Sequence, residues 1–156
     1  MLFVCAANLC RSPTAHAILR RLCADRALDA WVAVHSAGTH GHRAGEAPDP
    51  RSLAHAARRG YDLSDLRARQ ITEADVAQAD LVLVMDMRNL QDVLPYCPPA
   101  HRAKVRPVTA FCRQVRATDV EDPYRGTETD FEQVLDVLED ACEGLVQHLL
   151  ALRGRD

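Results

Sequence analysis

The chain has 156 residues, of which 47% are hydrophobic and 26% charged, and its net charge is −3. This composition is typical of one globular domain with a substantial core, and we predict a single domain over residues 1–156. The negative charge argues against a general nucleic-acid-binding surface, and no stretch approaches the ~20 apolar residues that span a bilayer.

The first predicted element is a strand at Leu2–Cys5, which leads directly into a loop at residues 5–12. A helical pattern is predicted over residues 14–27, and Pro13 directly before it suits the first position of a helix, where a missing N–H costs nothing. The loop therefore lies between the end of a strand and the start of a helix. Unpaired N–H groups and the helix dipole make this a place where anions bind.

Cys5 and Arg11 suggest the chemistry of this loop. A thiol near a helix N-terminus ionises easily, and the thiolate is the nucleophile. Arg11 presents a planar guanidinium that matches phosphate oxygens. Together these groups indicate phosphoryl transfer through Cys5. The Cys-x5-Arg spacing alone is a weak signal, since it also fits a buried thiol followed by a surface arginine.

Further strands are predicted at residues 31–35, 81–85 and, more weakly, 105–108. Helices are predicted at residues 50–59, 72–79, 86–94 and 130–152. This alternation predicts an α/β fold with a doubly wound parallel sheet and right-handed, Rossmann-like crossovers. Ligands of such sheets bind beyond the carboxyl ends of the strands, which is where Cys5 lies.

A second candidate residue, Asp122, lies in the loop at residues 121–126, just before the last predicted helix. A leaving alkoxide or phenoxide needs a proton donor, and Asp122 is a candidate for that role. Pro123 holds the Asp122 backbone extended. Taken alone, the Asp-Pro pair fits an ordinary turn equally well.

The two motifs together resemble those of the low-molecular-weight protein tyrosine phosphatases. Residues 5–13 match Cys-x-x-Asn-x-Cys-Arg-Ser-Pro and residues 122–124 match Asp-Pro-Tyr. Segments at 36–39, 48–50, 67–70 and 79–86 extend the resemblance over essentially the whole chain. It implies a single-domain, three-layer αβα fold with a four-stranded parallel sheet and a phosphate-binding loop after strand 1. It also implies metal-independent hydrolysis of protein tyrosine phosphate through a cysteinyl phosphate, with no cofactor.

The resemblance also implies roles for individual residues. Cys5 attacks phosphorus, and Asp122 protonates the leaving group and then activates water. Ser12 donates to the Cys5 thiolate, and Asn8 braces the loop together with Ser36. The phosphate oxygens are held by the loop, whose residues are Ala6, Ala7, Asn8, Leu9, Cys10, Arg11 and Ser12.

Several positions depart from the family pattern. Ala7 replaces a usual glycine, and Leu66 replaces a histidine that supports the loop asparagine, so we expect the loop to be supported differently here. Tyr124 is expected to stack on a phosphotyrosine ring. His42 and Arg125 stand where the family often has aromatic or large apolar residues. The predicted pocket wall is Leu9, His42, Tyr124 and Arg125.

Six cysteines are scattered at positions 5, 10, 23, 97, 112 and 142, and no Cys-x-x-Cys pair occurs. We therefore expect reduced thiols, no structural zinc and, since no signal peptide precedes the first strand, a cytoplasmic protein. Export without a signal stays open. The resemblance makes Cys10 a redox candidate, because it could capture an oxidised Cys5 as a disulfide and protect it.

Three alternatives stay open. An arsenate reductase of this fold needs two further cysteines after the third strand, and residues 85–94 contain none. A phosphoarginine phosphatase is disfavoured by Leu9 and Tyr124. A weak phosphate- or phosphopeptide-binding module is kept open by Ala7 and Leu66. The resemblance implies phosphotyrosine proteins as partners, either bacterial tyrosine kinases or host proteins, and a monomer or weak dimer without nucleic-acid or membrane partners.

Overall fold

The sheet follows from the apolar runs of the chain. In the computed structural model, which describes residues 1–155, four parallel strands lie in the order β2-β1-β3-β4. The central strands β1 and β3 are buried throughout, as expected for strands covered on both faces. Asp156, the last residue of the predicted domain, lies outside the described residues. The strands are β1 (Leu2–Cys5), β2 (His35–Gly38), β3 (Val82–Val84) and β4 (Val105–Pro107).

Helices cover both faces of this sheet. Alternate residues of β1 enter different cores: Phe3 packs with residues of the first, second and last helices, and Val4 packs with the third and fourth. This arrangement confirms the predicted three-layer α/β fold. No helix within residues 1–155 is both long and apolar enough to cross a membrane. The α-helices are α1 (Arg11–Asp25), α2 (Pro50–Arg58), α3 (Glu73–Gln78), α4 (Met87–Val93) and α5 (Glu128–Arg153), with 3-10 turns at Leu94–Tyr96, Pro99–Lys104 and Val108–Phe111.

The first helix begins earlier than predicted. It starts at Arg11 with Cys10 as its N-cap, so Pro13 is its third residue and not its first. Proline is tolerated there because the first N–H groups of a helix have no internal partner. Because the helix starts early, Arg11 and Ser12 belong to its first turn and not to the loop.

The second strand differs from the prediction. The apolar run at residues 31–35 was expected to form it, but the strand is His35–Gly38 and Trp31 is 44% exposed. Small side chains are needed at this place because a Cβ on Gly38 would lie 2.6 Å from the Ala6 carbonyl oxygen. The position of β2 is therefore set by small residues that let its backbone approach the loop after β1, and not by a run of apolar side chains.

The other predicted elements are confirmed to within a few residues at their ends. Thr72 and Asp75 form a reciprocal capping box that starts α3. Thr127 and Asp130 form a second capping box, so α5 begins at Glu128, ahead of the predicted residue 130. This box fixes the end of the loop that carries Asp122.

Candidate active site

The loop between β1 and α1 surrounds the end of Cys5. Cys5 is buried, and its Sγ lies 3.0 Å from Ser12 Oγ. Asn8 Nδ2 donates to the same oxygen at 2.7 Å. Because Ser12 Oγ accepts from Asn8, its own proton is free to be donated, either to Cys5 Sγ or to the more distant Ala37 carbonyl at 3.4 Å. A charge-assisted bond of this kind stabilises a thiolate.

Asn8 holds the loop from within. Its φ is 60°, a left-handed conformation that asparagine tolerates better than most residues. Its Oδ1 accepts from the backbone N–H of Arg69 at 3.1 Å. This bond supplies the support expected from a histidine at position 66, where Leu66 instead packs against the core. Ala7 does not have positive φ, so the replaced glycine brings no left-handed strain.

The predicted brace between Ser36 and Asn8 is not formed. Ser36 Oγ lies 3.0 Å from His16 Nδ1, and both hydrogen-bonding ends of the Asn8 side chain are already used by Ser12 and Arg69. Burial lowers the pKa of His16 to about 4, so its ring is neutral at physiological pH. Ser36 therefore contacts His16 in the second turn of α1 and not the loop asparagine.

Arg11 is fixed by two other loops. Only 3% of its side chain is exposed, and its Nη1 donates to Asp86 Oδ2 at 2.7 Å and to the Val120 carbonyl at 3.0 Å. Burial disfavours its charge, but Cys5 and the carboxylates of Asp86 and Asp122 outweigh burial and raise its pKa. Arg11 therefore stays cationic beneath the loop, with its orientation set before any anion binds.

Sequence reasoning missed Asp86 as a positioning residue. Its Oδ1 caps α4 by accepting from Asn89 N at 2.8 Å, and its Oδ2 holds Arg11. The sequence did contain a sign of this role, because Asp86 directly follows the apolar run that forms β3. The carboxyl ends of adjacent parallel strands meet at one edge, so an acidic residue there faces the loop after β1.

A cavity of about 140 Å³ opens above Cys5 and Arg11. Three of the four predicted wall residues line it, namely Leu9, His42 and Tyr124. Arg125 does not, because the turn closed by Gly126 N–H and the Pro123 carbonyl at 2.8 Å leaves it exposed outside the cavity. Arg43, which sequence reasoning did not select, takes part in the wall instead. The remaining lining residues are Ala7, Cys10 and Asp122.

Asp122 lies at the mouth of this cavity. Its side chain is 52% exposed, and its Oδ2 is 3.7 Å from Arg11 Nη2. Its Oδ1 accepts from Tyr124 N at 3.1 Å, which fixes the carboxyl group relative to the aromatic wall. Cys5 and Asp122 thus line one small cavity, with a guanidinium at its base and an aromatic ring at its side.

Comparison with known proteins decides between the families that share such a loop. The family model described as low molecular weight phosphotyrosine protein phosphatase matches residues 1–153. The chain belongs to this family. A low molecular weight protein-tyrosine-phosphatase of Streptomyces coelicolor is 39% identical over 147 residues, covering 92% of this chain and 89% of its own length. The predicted enzyme class, a protein tyrosine phosphatase and hence a hydrolase, is confirmed.

Solved structures of the low molecular weight phosphatase family agree with the fold. A protein tyrosine phosphatase from Entamoeba histolytica superposes with a TM-score of 0.93 at 35% identity, covering 97% of both chains. The Drosophila arginine phosphatase DARP superposes with a TM-score of 0.86 at 28% identity, covering 95% of this chain and 96% of its own. Because proteins named for different substrates share this fold, the substrate has to be argued from the residues of the cavity.

Cys10 lies in the same loop as Cys5 but in a different environment. Its thiol is buried against Leu9, Ala68 and Phe131, and burial raises its pKa to about 12. Cys10 is therefore protonated at neutral pH and does not compete with Cys5 for substrate.

We expect Cys10 to protect Cys5 from permanent oxidation. Peroxide converts the Cys5 thiolate to a sulfenic acid, and the Cys10 thiolate then attacks that sulfur, forming the S–S bond and releasing hydroxide. Wild type should recover after a thiol reductant, whereas Cys10→Ser should stay inactive. Because so little Cys10 is thiolate, disulfide closure should speed up roughly tenfold per pH unit near neutrality. The half-buried Cys112→Ser is the matched control, and recovery of Cys10→Ser equal to wild type would refute the role.

Proposed function

We propose that this phosphatase hydrolyses tyrosine phosphate on proteins through a cysteinyl phosphate on Cys5, without a metal ion. The observation that carries the proposal is the grouping of Cys5, Arg11, Asp122 and Tyr124 around one cavity. Among residues 1–155, no three His, Cys, Asp or Glu side chains form a group that could hold a metal ion. The nucleophile, the anion site and the proton donor all come from the chain itself.

In the first step, the Cys5 thiolate attacks phosphorus and the S–P bond forms as the bond to the phenolic oxygen breaks. Asp122 gives its proton to that oxygen. The guanidinium of Arg11 and the N–H groups of the loop hold the other phosphate oxygens as charge builds on them. Because Asp86 and Val120 already hold Arg11, this stabilisation requires little reorganisation.

In the second step, water attacks the cysteinyl phosphate. The Asp122 carboxylate accepts a proton from the water as the new P–O bond forms, and the S–P bond breaks. Cys5 leaves as a thiolate, and the Ser12 hydroxyl at 3.0 Å stabilises it. Inorganic phosphate is released, and Asp122 is again protonated for the next turnover.

The walls of the cavity support an aryl phosphate as substrate. Leu9 and Tyr124 offer an apolar side chain and an aromatic ring for the tyrosyl group. An arginyl phosphate carries its phosphoryl group on a polar guanidinium instead of an aromatic ring, so it gains less from these walls. Residues 85–94 contain no cysteine, so an arsenate-reducing disulfide relay has no partner thiols there.

The physiological setting belongs to the same proposal. We infer that the substrates are phosphotyrosine proteins met in the cytoplasm, with a bacterial tyrosine kinase or a host protein as the partner classes. We infer a monomer or a weak dimer, because the cavity is built within one chain.

The proposal is tested by substrate comparison in the presence of a chelator. Purified protein is offered phosphotyrosine, phosphoserine and phosphoarginine peptides, and arsenate with a thiol reductant. We expect turnover that favours phosphotyrosine. Preference for phosphoarginine or arsenate would replace the proposal with one of those activities. Phosphate binding without turnover of any ester would indicate a binding module.

A further inference from the structure

Tyr124 needs support from outside its own loop to act as a wall. It is the one Phe, Tyr or Trp among the residues that line the cavity, and it is 44% exposed. Apart from buried Pro123, the loop at residues 121–127 is exposed. An exposed ring on such a loop exchanges between rotamers unless another group holds it. A side chain from another element must therefore hold the Tyr124 ring if the ring is to act as a fixed wall.

Arg43 of the cavity wall also approaches the side chain of Tyr124, but the guanidinium that lies over the Tyr124 ring is that of Arg51 in α2. Its guanidinium carbon lies 5.4 Å from the centroid of the Tyr124 ring and 4.7 Å from that of Phe131. Both distances are within the range of about 6 Å over which a guanidinium attracts an aromatic face. Arg51 thus joins an exposed ring at the cavity to a buried ring behind it.

Arg51 is itself tightly held. Asp49 Oδ1 accepts from Arg51 N at 2.8 Å and from Nε at 3.0 Å, and Asp49 Oδ2 accepts from Nη2 at 2.8 Å. These bonds hold the pKa of Asp49 below its usual range, so the pair stays ionised at neutral pH. The Asp49 N–H donates to the Leu9 carbonyl at 2.9 Å. The guanidinium is therefore fixed relative to the phosphate-binding loop.

The ring behind Arg51 is equally fixed. Phe131 of α5 is 4% exposed and packs with Leu9 and Cys10 of the loop. The ring of His55 also stacks on Phe131, with the ring centroids 5.6 Å apart and an interplanar angle of 12°. His55 Nδ1 lies 2.6 Å from Glu132 Oε2. The support behind Arg51 thus consists of side chains from two packed helices, α2 and α5.

We propose that Arg51 is a positioning residue for substrate recognition: it holds the Tyr124 ring as a wall for the tyrosyl group and so favours aryl over smaller phosphates. The inference rests on the proposed function, which supplies the aryl substrate. It predicts that Arg51 acts through Tyr124, and that its loss affects binding of the ring and not of the phosphate. Inorganic phosphate fills the loop without reaching the wall, so it reports on the loop alone.

The test is a double-mutant cycle read out with two inhibitors, benzylphosphonate and inorganic phosphate. Arg51→Met keeps the apolar stem over Phe131 and removes the charge. We expect it to weaken benzylphosphonate binding and raise the KM for phosphotyrosine about fivefold, with kcat within twofold and the Ki of inorganic phosphate unchanged. In a Tyr124→Leu background, Arg51→Met should have no further effect. Arg51→Lys, which keeps a cation over the ring, should recover part of the loss.

Arg21→Met is the matched control, because Arg21 lies 5.6 Å from the ring of Tyr61, away from the cavity. It should change none of these constants. Additive effects of the Arg51 and Tyr124 substitutions, or a parallel loss of inorganic phosphate binding, would overturn the inference. Benzylphosphonate binding is measured by calorimetry without turnover. Inactivity of wild type toward phosphotyrosine would therefore count against the proposed function and not against this contact.

Discussion

Replacing Cys5 with serine should abolish turnover of p-nitrophenyl phosphate, with kcat falling at least about 10⁴-fold. A serine hydroxyl is almost wholly protonated at neutral pH, and within residues 1–155 the side chain that hydrogen-bonds to this position is the Ser12 hydroxyl, which is not a general base. The loop itself should stay formed, because Asn8 and Arg11 are held by other partners. Inorganic phosphate should therefore still bind, within about threefold of wild type.

Cys112→Ser provides the matched control for this substitution. Cys112 is a half-buried thiol outside the cavity, and its Sγ donates to the Val137 carbonyl at 3.7 Å. Its loss should leave kcat unchanged. If Cys5→Ser kept more than about a tenth of wild-type kcat, another group would have to be the nucleophile.

Asp122→Asn should slow hydrolysis by about 10²–10³-fold for phenyl phosphates with poor leaving groups, and far less for nitrophenyl phosphates. A poor leaving group needs a proton as the P–O bond breaks, whereas a nitrophenolate leaves without one. The measurement is the dependence of kcat/KM on leaving-group acidity across a series of substituted phenyl phosphates. Its slope should be steeper for Asp122→Asn than for wild type.

The control for the second substitution is Asp119→Asn, an exposed carboxylate in the same connection between β4 and α5. It changes the net charge by the same amount and does not line the cavity. Its slope should match that of wild type. An equal loss for good and poor leaving groups in Asp122→Asn would show that Asp122 acts by charge or packing, and not as a proton donor.

Local patterns predicted the elements that depend on local forces. β1 and β3 are buried apolar runs and α3 begins at a capping box, so each was visible in a few neighbouring residues. The apolar stripe of α5 was visible in the same way, whereas its capping box at Thr127 was not recognised and its start was placed at residue 130. The phosphate loop was visible for the same reason. β2 was missed because its small residues are selected by contact with Ala6 in another segment, which no local pattern records.

The parts of the site that join distant loops were predicted less well. Arg11 is held by Asp86, and Tyr124 is backed by Arg51, across long separations in sequence. Resemblance to a family located Asp122, yet it paired Ser36 with Asn8, whereas in this chain His16 takes Ser36. Substitutions such as Leu66 change which neighbour supports a loop, and only the folded structure shows the new partner.

The central claim is that phosphate passes through Cys5, and trapping the intermediate tests it most directly. Ser12→Ala removes the hydroxyl 3.0 Å from Cys5 Sγ and should slow the second step more than the first. The variant is mixed with a phosphotyrosine peptide, denatured rapidly, digested and analysed by mass spectrometry. We predict one phosphoryl group on the peptide that contains Cys5. Turnover with the phosphoryl group on any other residue, or a burst of dephosphorylated peptide with no phosphorylated enzyme, would contradict the account.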